Sequence, residues 1–128
     1  MEELKFLSEE EINIMDSLDE LYYGGLLSEE NERIFEELAS RIDKIEGTYE
    51  TLYGKLEKSQ EENGMFECCY NCLKRYYGCR YVKYSDDALI GEYEREEQNT
   101  AHNPLSLINL DSIREELDKR GLKRHKNM

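Results

Sequence analysis

The feature that most restricts the fold is a run of apolar residues spaced alternately three and four positions apart. Its members are Phe35, Leu38, Ile42, Ile45, Tyr49, Leu52 and Leu56. This spacing is a heptad repeat, which places every member on one stripe of an α-helix. Because a stripe of this length has to be covered by other helices, the pattern predicts a mainly α protein with one long amphipathic helix.

We expect that long helix to run from about Glu29 to Glu62. Ser28 followed by acidic residues is typical of a helix start, and Asn63-Gly64 is a turn signal that predicts its end. Gly47 and Gly54 fall on the outward side of the heptad pattern, so neither glycine interrupts the buried stripe.

A shorter helix is predicted before the long one. Ser8 with Glu11 three residues later matches a capping box, a stripe of apolar residues that includes Tyr22 follows, and Gly24-Gly25 ends the helix. The short link predicts an antiparallel helical hairpin. The first helix covers only about half of its partner, so residues 49–56 have to pack on the second half of the chain or on a second copy, as a homodimer.

We divide the chain into an acidic helical hairpin, residues 1–63, and a smaller Cys/Tyr-rich helical region with a basic tail, residues 64–128. The two are expected to pack as one domain. The alternation of residue types near 80–84 also allows a short strand in the second region.

Two further helices are predicted in the second region. Ser85 caps the first of them, and a polar loop follows from residue 98 to 104. The final helix opens at Asn109 or Asp111 and ends at Gly121.

Residues 66–84 hold all four cysteines and five of the ten tyrosines. One interpretation is a zinc site, with the candidate ligands Cys69, Cys72, Cys79 and His102. Cys-x-x-Cys is only half of a zinc signature, and no second pair follows it. The interpretation that we favour is a helix, because residues 65, 68, 72, 76 and 79 recur at helical spacing and free cysteine packs as a small apolar residue. Apart from that zinc ion, no cofactor is expected.

Charge is unevenly distributed along the chain, whose formal net charge is −13. Residues 1–67 contain 20 acidic and 6 basic residues, which gives −14, whereas residues 68–128 contain 10 and 11, which gives +1. The acidic half repels nucleic acid and favours a basic protein partner. The carboxylates that we expect to bind it lie off the buried stripe: Glu29, Glu32, Glu36, Asp43, Glu50 and Glu57.

No catalytic pattern is present. The chain lacks a glycine-rich phosphate loop, a G-x-S-x-G motif and an H-E-x-x-H motif, and its two histidines have no partner pattern. We therefore expect a non-enzymatic interaction module, an inhibitor of a phage or mobile-element type that mimics nucleic acid and occupies a basic groove on its partner. The alternative is a small zinc-stabilised regulator that contacts nucleic acid through residues 70–84, where tyrosines alternate with basic residues.

The sequence contains no apolar segment near the ~20 residues that span a bilayer. It also shows no apolar run after a basic amino-terminal stretch, as a signal peptide would require. We expect a cytoplasmic protein without a membrane partner.

Overall fold

The computed structural model describes residues 4–99 and 103–122, and all the regular secondary structure in these two ranges is helical. This confirms the mainly α fold class. The helices are α1 (Glu9–Tyr23), α2 (Glu29–Tyr53), α3 (Gln60–Tyr81), α4 (Asp86–Asn99) and α5 (Pro104–Arg120). Residues 82–84 form a turn after α3, so the strand considered near 80–84 does not occur.

Both ends of α1 form as the sequence predicts. The Ser8 hydroxyl accepts a hydrogen bond from the Glu11 amide at 3.1 Å, and the Glu11 carboxylate accepts one from the Ser8 amide at 3.0 Å. At the other end, the Leu26 amide donates to the Leu21 carbonyl at 2.9 Å and the Gly25 amide to the Tyr22 carbonyl at 3.1 Å. With Gly25 at φ 69°, this is a Schellman motif, which glycine closes at little steric cost.

The apolar stripe of α2 is buried from Leu38 to Leu52, but α2 is shorter than expected. It ends at Tyr53 and is capped by Gly54, nine residues before the predicted end at Glu62. Leu56 therefore lies in the link after α2 and is fully exposed, which corrects its assignment to the buried stripe.

The link ends in a capping box, where a single helix through Glu62 is predicted from the sequence. The Ser59 hydroxyl accepts from the Glu62 amide at 3.1 Å, and the Glu62 carboxylate accepts from the Ser59 amide at 3.0 Å. This cap starts α3 at Gln60, so Asn63-Gly64 lies within α3 rather than at a break. A glycine inside a helix costs only about 1 kcal/mol relative to alanine, which the cap and the packing of α3 offset.

Helices α1 and α2 pack on each other through contacts that occur in opposite order along the two helices. Tyr22, near the end of α1, stacks on Phe35 near the start of α2, with ring centroids 4.9 Å apart. Glu11, near the start of α1, forms an ion pair of 2.5 Å with Arg41, farther along α2.

The far half of the α2 stripe is covered by the same chain. The Tyr49 ring stacks on Phe66 of α3 at 4.7 Å, with the two planes 13° apart, and Leu52 is also buried. These residues are covered without a second copy, and a homodimer through residues 49–56 stays a prediction.

The chain forms two compact units, Met1–Leu73 and Lys74–Met128. The division falls within α3, and the predicted boundary at residue 63 lies inside the first turns of that helix. The first unit contains α1, α2 and the start of α3; the second contains the end of α3, α4 and α5.

In the second unit, α4 packs on α5. The Ser85 hydroxyl accepts from the Ala88 amide at 3.2 Å, which is the predicted cap of α4. Helix α5 begins at Pro104, with Asn103 as its N-cap, and not at Asn109 or Asp111. Proline is favoured at the first helical position because the missing amide has no intrahelical acceptor there.

Arg120 joins three segments of the second unit. Its guanidinium donates to Asp86 and Glu116, both at 2.9 Å, and to the Val82 carbonyl at 3.1 Å. The end of α5 is thereby held against the turn between α3 and α4. Among the described residues, none of the helices has both the length and the apolar character that a membrane span requires.

Candidate partner-binding surface

Five of the six predicted partner-binding carboxylates lie on one side of α2 and are exposed. We call them the acidic row: Glu29, Glu32, Glu36, Asp43 and Glu50. Four of them are spaced by seven residues, which is almost two complete helical turns. They therefore follow the helix axis at steps of about 10 Å, and Glu32 lies one turn before Glu36 on the same side.

The acidic row lies opposite the buried stripe. Glu36 is followed two residues later by the buried Leu38, and Glu50 is followed in the same way by Leu52. Two residues turn an α-helix by about 200°, so each such pair points in opposite directions. Burial of the stripe therefore fixes the acidic row outward on a rigid helix.

Small residues separate the later carboxylates of the acidic row, Glu36, Asp43 and Glu50, whereas the exposed Arg33 lies between Glu29 and Glu36 on the same side of α2. Ser40 and Gly47, both exposed, fall on the same side of α2 as Asp43. A Cβ atom built on Gly47 would meet no atom within 4 Å, so the surface beside the carboxylates is open. A partner side chain can reach them without displacing a neighbour.

Few cations compensate this surface. Helix α2 contains eight acidic and three basic residues, which gives −5. One of the cations, Arg41, is directed inward, where it donates to Glu11 at 2.5 Å and to the Phe6 carbonyl at 2.8 Å. The adjacent guanidinium and the Ser8 cap lower the pKa of Glu11 to about 2. Arg41 therefore pairs with a half-buried carboxylate of α1 and not with the acidic row.

Glu57, the sixth predicted residue, does not belong to the acidic row. It is exposed but lies in the link after α2, where the helical spacing no longer applies. The prediction for Glu57 depends on α2 continuing to Glu62, and α2 ends at Tyr53.

The structure also exposes apolar residues that the sequence does not identify as a surface. Tyr22, Tyr23 and Leu26 lie at the α1–α2 link with 55%, 82% and 74% of their surfaces exposed. The sequence places Tyr22 on the buried stripe of α1. Gly24-Gly25 predicts the turn but not which of the side chains beside it are exposed.

The structure does not bring the three predicted cysteine ligands together. Cys69 and Cys72 are buried in α3 and Cys79 is half-buried, but Cys79 lies seven residues beyond Cys72, about 10 Å along the axis. Two thiolates on one zinc ion are about 4 Å apart, because each Zn–S bond is about 2.3 Å. Among residues 4–99 and 103–122, no three Cys, His, Asp or Glu side chains are grouped to hold a metal. His102 lies outside the described residues, so the zinc assignment stays a prediction.

The tyrosines proposed to stack on nucleic acid are partly enclosed by the protein. Tyr77 and Tyr81 are buried, and the Tyr81 hydroxyl donates to Asn109 at 2.8 Å. Burial raises the pKa of Tyr81. Lys74, one of the basic residues in the stretch, forms an ion pair with Glu115. The buried rings of Tyr77 and Tyr81 are not available to stack on a base, whereas the other three tyrosines of residues 70–84 are half-buried.

No protein-family model matches this chain, and the comparisons with curated proteins and with solved structures found no match.

Proposed function

We propose that this protein is a non-enzymatic interaction module that binds a basic protein partner through the acidic row. The partner is a nucleic-acid-handling protein, and the row occupies the groove in which that partner takes DNA or RNA. The observation that carries the proposal is the spacing of Glu29, Glu36, Asp43 and Glu50, all of them exposed on one side of α2. The proposal includes a cytoplasmic location and inhibition of the partner.

The physical basis is competition for the same cations. A groove that binds nucleic acid neutralises phosphates with Lys and Arg side chains, and it releases the counterions of the nucleic acid when it does so. A rigid row of carboxylates offers the same cations an alternative anion. Association between such oppositely charged surfaces is fast and weakens as salt is added.

The row alone does not match the charge density of a duplex. DNA carries one charge per about 1.7 Å of its axis, whereas the row offers one carboxylate per about 10 Å. The remaining acidic residues of positions 1–67, where the net charge is −14, have to supply the general attraction. The row then determines which side of the protein faces the groove.

Affinity capture with two matched variants tests this proposal. The row variant is Glu36→Gln/Asp43→Asn/Glu50→Gln, and the control variant is Glu67→Gln/Asp87→Asn/Glu94→Gln; all six positions are exposed. Each variant loses three negative charges and so changes the net charge from −13 to −10. The baits are the wild type and both variants, incubated with a nuclease-treated lysate of the source cells.

We expect the wild type and the control variant to retain basic nucleic-acid-binding proteins that the row variant does not retain. Duplex DNA should elute these proteins. If the three baits retain the same proteins, or if the two variants lose them equally, the acidic row is not the binding surface.

A further inference from the structure

The α1–α2 link carries an exposed apolar patch, the apolar tip, formed by Tyr22, Tyr23 and Leu26. Their exposed fractions are 55%, 82% and 74%. Single exposed apolar residues are ordinary on soluble proteins, but adjoining large ones often mark a contact site. Tyrosine in particular is enriched among the residues that dominate binding energy at interfaces.

The apolar tip is held in place by the fold. The Schellman motif at Gly25 fixes the backbone on both sides of Tyr23 and Leu26. The Tyr22 ring stacks on Phe35 at 4.9 Å, and the Tyr23 ring meets Tyr22 edge-on at 5.6 Å and 78°. Because the backbone of the turn and the Tyr22 ring are held by these contacts, less conformational entropy is lost when a partner contacts the tip.

The charge around the apolar tip indicates the chemistry of its occupant. From residue 16 to residue 36, the part of the first helix pair that flanks the tip, the sequence contains seven acidic residues and one basic residue, Arg33. A second copy of this chain would bring two such acidic regions together, and like charges at an interface oppose association. A surface that is both apolar and basic complements the tip.

We propose that the apolar tip anchors the same basic partner that the acidic row binds, by inserting Tyr23 and Leu26 into an apolar pocket bordered by Lys or Arg side chains. Glu29, the first residue of the row, is three positions after Leu26, so the pocket and the basic groove adjoin. The inference rests on the proposed function. The row provides attraction and orientation, and the apolar tip provides the part of the affinity that does not depend on salt.

Two fluorescent peptides of equal length and equal positive charge separate the two contributions. One is an amphipathic Leu/Lys helix, and in the other serine replaces every leucine. The tip variant is Tyr23→Ser/Leu26→Ser. Its control is Tyr53→Ser/Leu56→Ser, which removes a tyrosine and a leucine exposed elsewhere in the first unit. Far-UV circular dichroism checks that both variants keep the helix content of the wild type.

We expect the tip variant to bind the Leu/Lys peptide at least about tenfold more weakly than the wild type, because burial of one apolar side chain alone accounts for about tenfold and this variant removes two. The control variant should bind that peptide as the wild type does, and the Lys/Ser peptide should bind all three proteins alike. If the tip variant keeps its affinity for the Leu/Lys peptide, or if the control variant loses as much, the anchoring proposal is wrong.

Binding of both peptides by the row variant distinguishes failure of this inference from failure of the proposed function. Weaker binding of both peptides by the row variant supports the acidic row, whatever the tip variant does. Unchanged binding of both peptides by the row variant contradicts the proposed function. Sedimentation equilibrium supplies the remaining outcome: a wild-type dimer that the tip variant lacks would assign the apolar tip to a second copy and overturn the inference.

Discussion

Arg41 of α2 binds the start of α1 and the segment before it. Its guanidinium binds Glu11 of α1 and the carbonyls of Lys5 and Phe6, which precede α1. Glu11 in turn caps α1 through Ser8. The sequence predicts the cap, because Ser8 and Glu11 are a local motif. It does not predict the pairing with Arg41, because residues 30 positions apart leave no periodic signal.

The Glu11–Arg41 pair makes stability depend on pH. The pKa of Glu11 is lowered to about 2 in the folded protein from its ordinary value of 4.5. A lowered carboxyl pKa stabilises the folded state above the unfolded-state value, and this contribution is lost as the pH falls from about 4.5 through about 2. Glu11→Gln keeps a side chain that can complete the capping box but removes this charge.

We therefore expect the wild type to be more stable than Glu11→Gln at pH 7, and the difference to shrink by pH 3. Urea denaturation at both pH values measures it, with the exposed Glu10→Gln in the same turn as the control. A gap between wild type and Glu11→Gln that is the same at both pH values would show that the ion pair contributes nothing.

At the scale of elements, caps decide where the helices begin and end. The heptad stripe correctly identifies the buried side of α2 but not its length, because the stripe continues in the sequence past the Gly54 cap. Ser59 with Glu62, and Asn103 with Pro104, are the local signals that place the starts of α3 and α5. Where the cap signal and the periodicity disagree, the helix follows the cap.

Helix α3 shows why the cysteines were ambiguous from sequence. Thiols at helical spacing are compatible with a metal-binding turn or with the buried face of a helix. Only the backbone conformation distinguishes these two structures. In α3, Cys69 is buried and Cys68 beside it is exposed. Burial raises the pKa of the Cys69 thiol to about 11, so this thiol is a poor nucleophile at neutral pH.

This difference predicts opposite behaviour for the two adjacent cysteines. Cys69→Ser should lower the free energy of unfolding by about 1–3 kcal/mol, because it places a hydroxyl in an apolar site. Cys68→Ser should change it by less than about 0.5 kcal/mol and should abolish the fastest phase of thiol labelling in the native protein.

Urea denaturation and thiol-labelling kinetics of the two variants check this prediction. Equal destabilisation by the two substitutions would contradict the burial of the Cys69 side of α3. Wild-type stability that falls on addition of a chelator would instead support the zinc interpretation.

For the whole molecule, the sequence predicts the charge distribution and the helical class better than it predicts which side chains form a surface patch. The charge difference between residues 1–67 and 68–128 can be counted directly, and the helical class follows from the apolar spacing. The apolar tip could not be predicted, because Tyr22 fits a buried stripe equally well. The packing of the helices determines which exposed side chains are neighbours, and this packing cannot be derived from a single sequence.

The central claim is that the acidic row competes with nucleic acid for one basic surface. The most direct measurement titrates wild-type protein, the row variant and the control variant into a complex of the captured partner with fluorescent duplex DNA, and follows anisotropy. The account predicts that wild type and control variant displace the DNA at similar concentrations, that added salt weakens both, and that the row variant needs at least about tenfold more protein, about 1.4 kcal/mol. Formation of a ternary complex without displacement, or equal displacement by all three proteins, would contradict it.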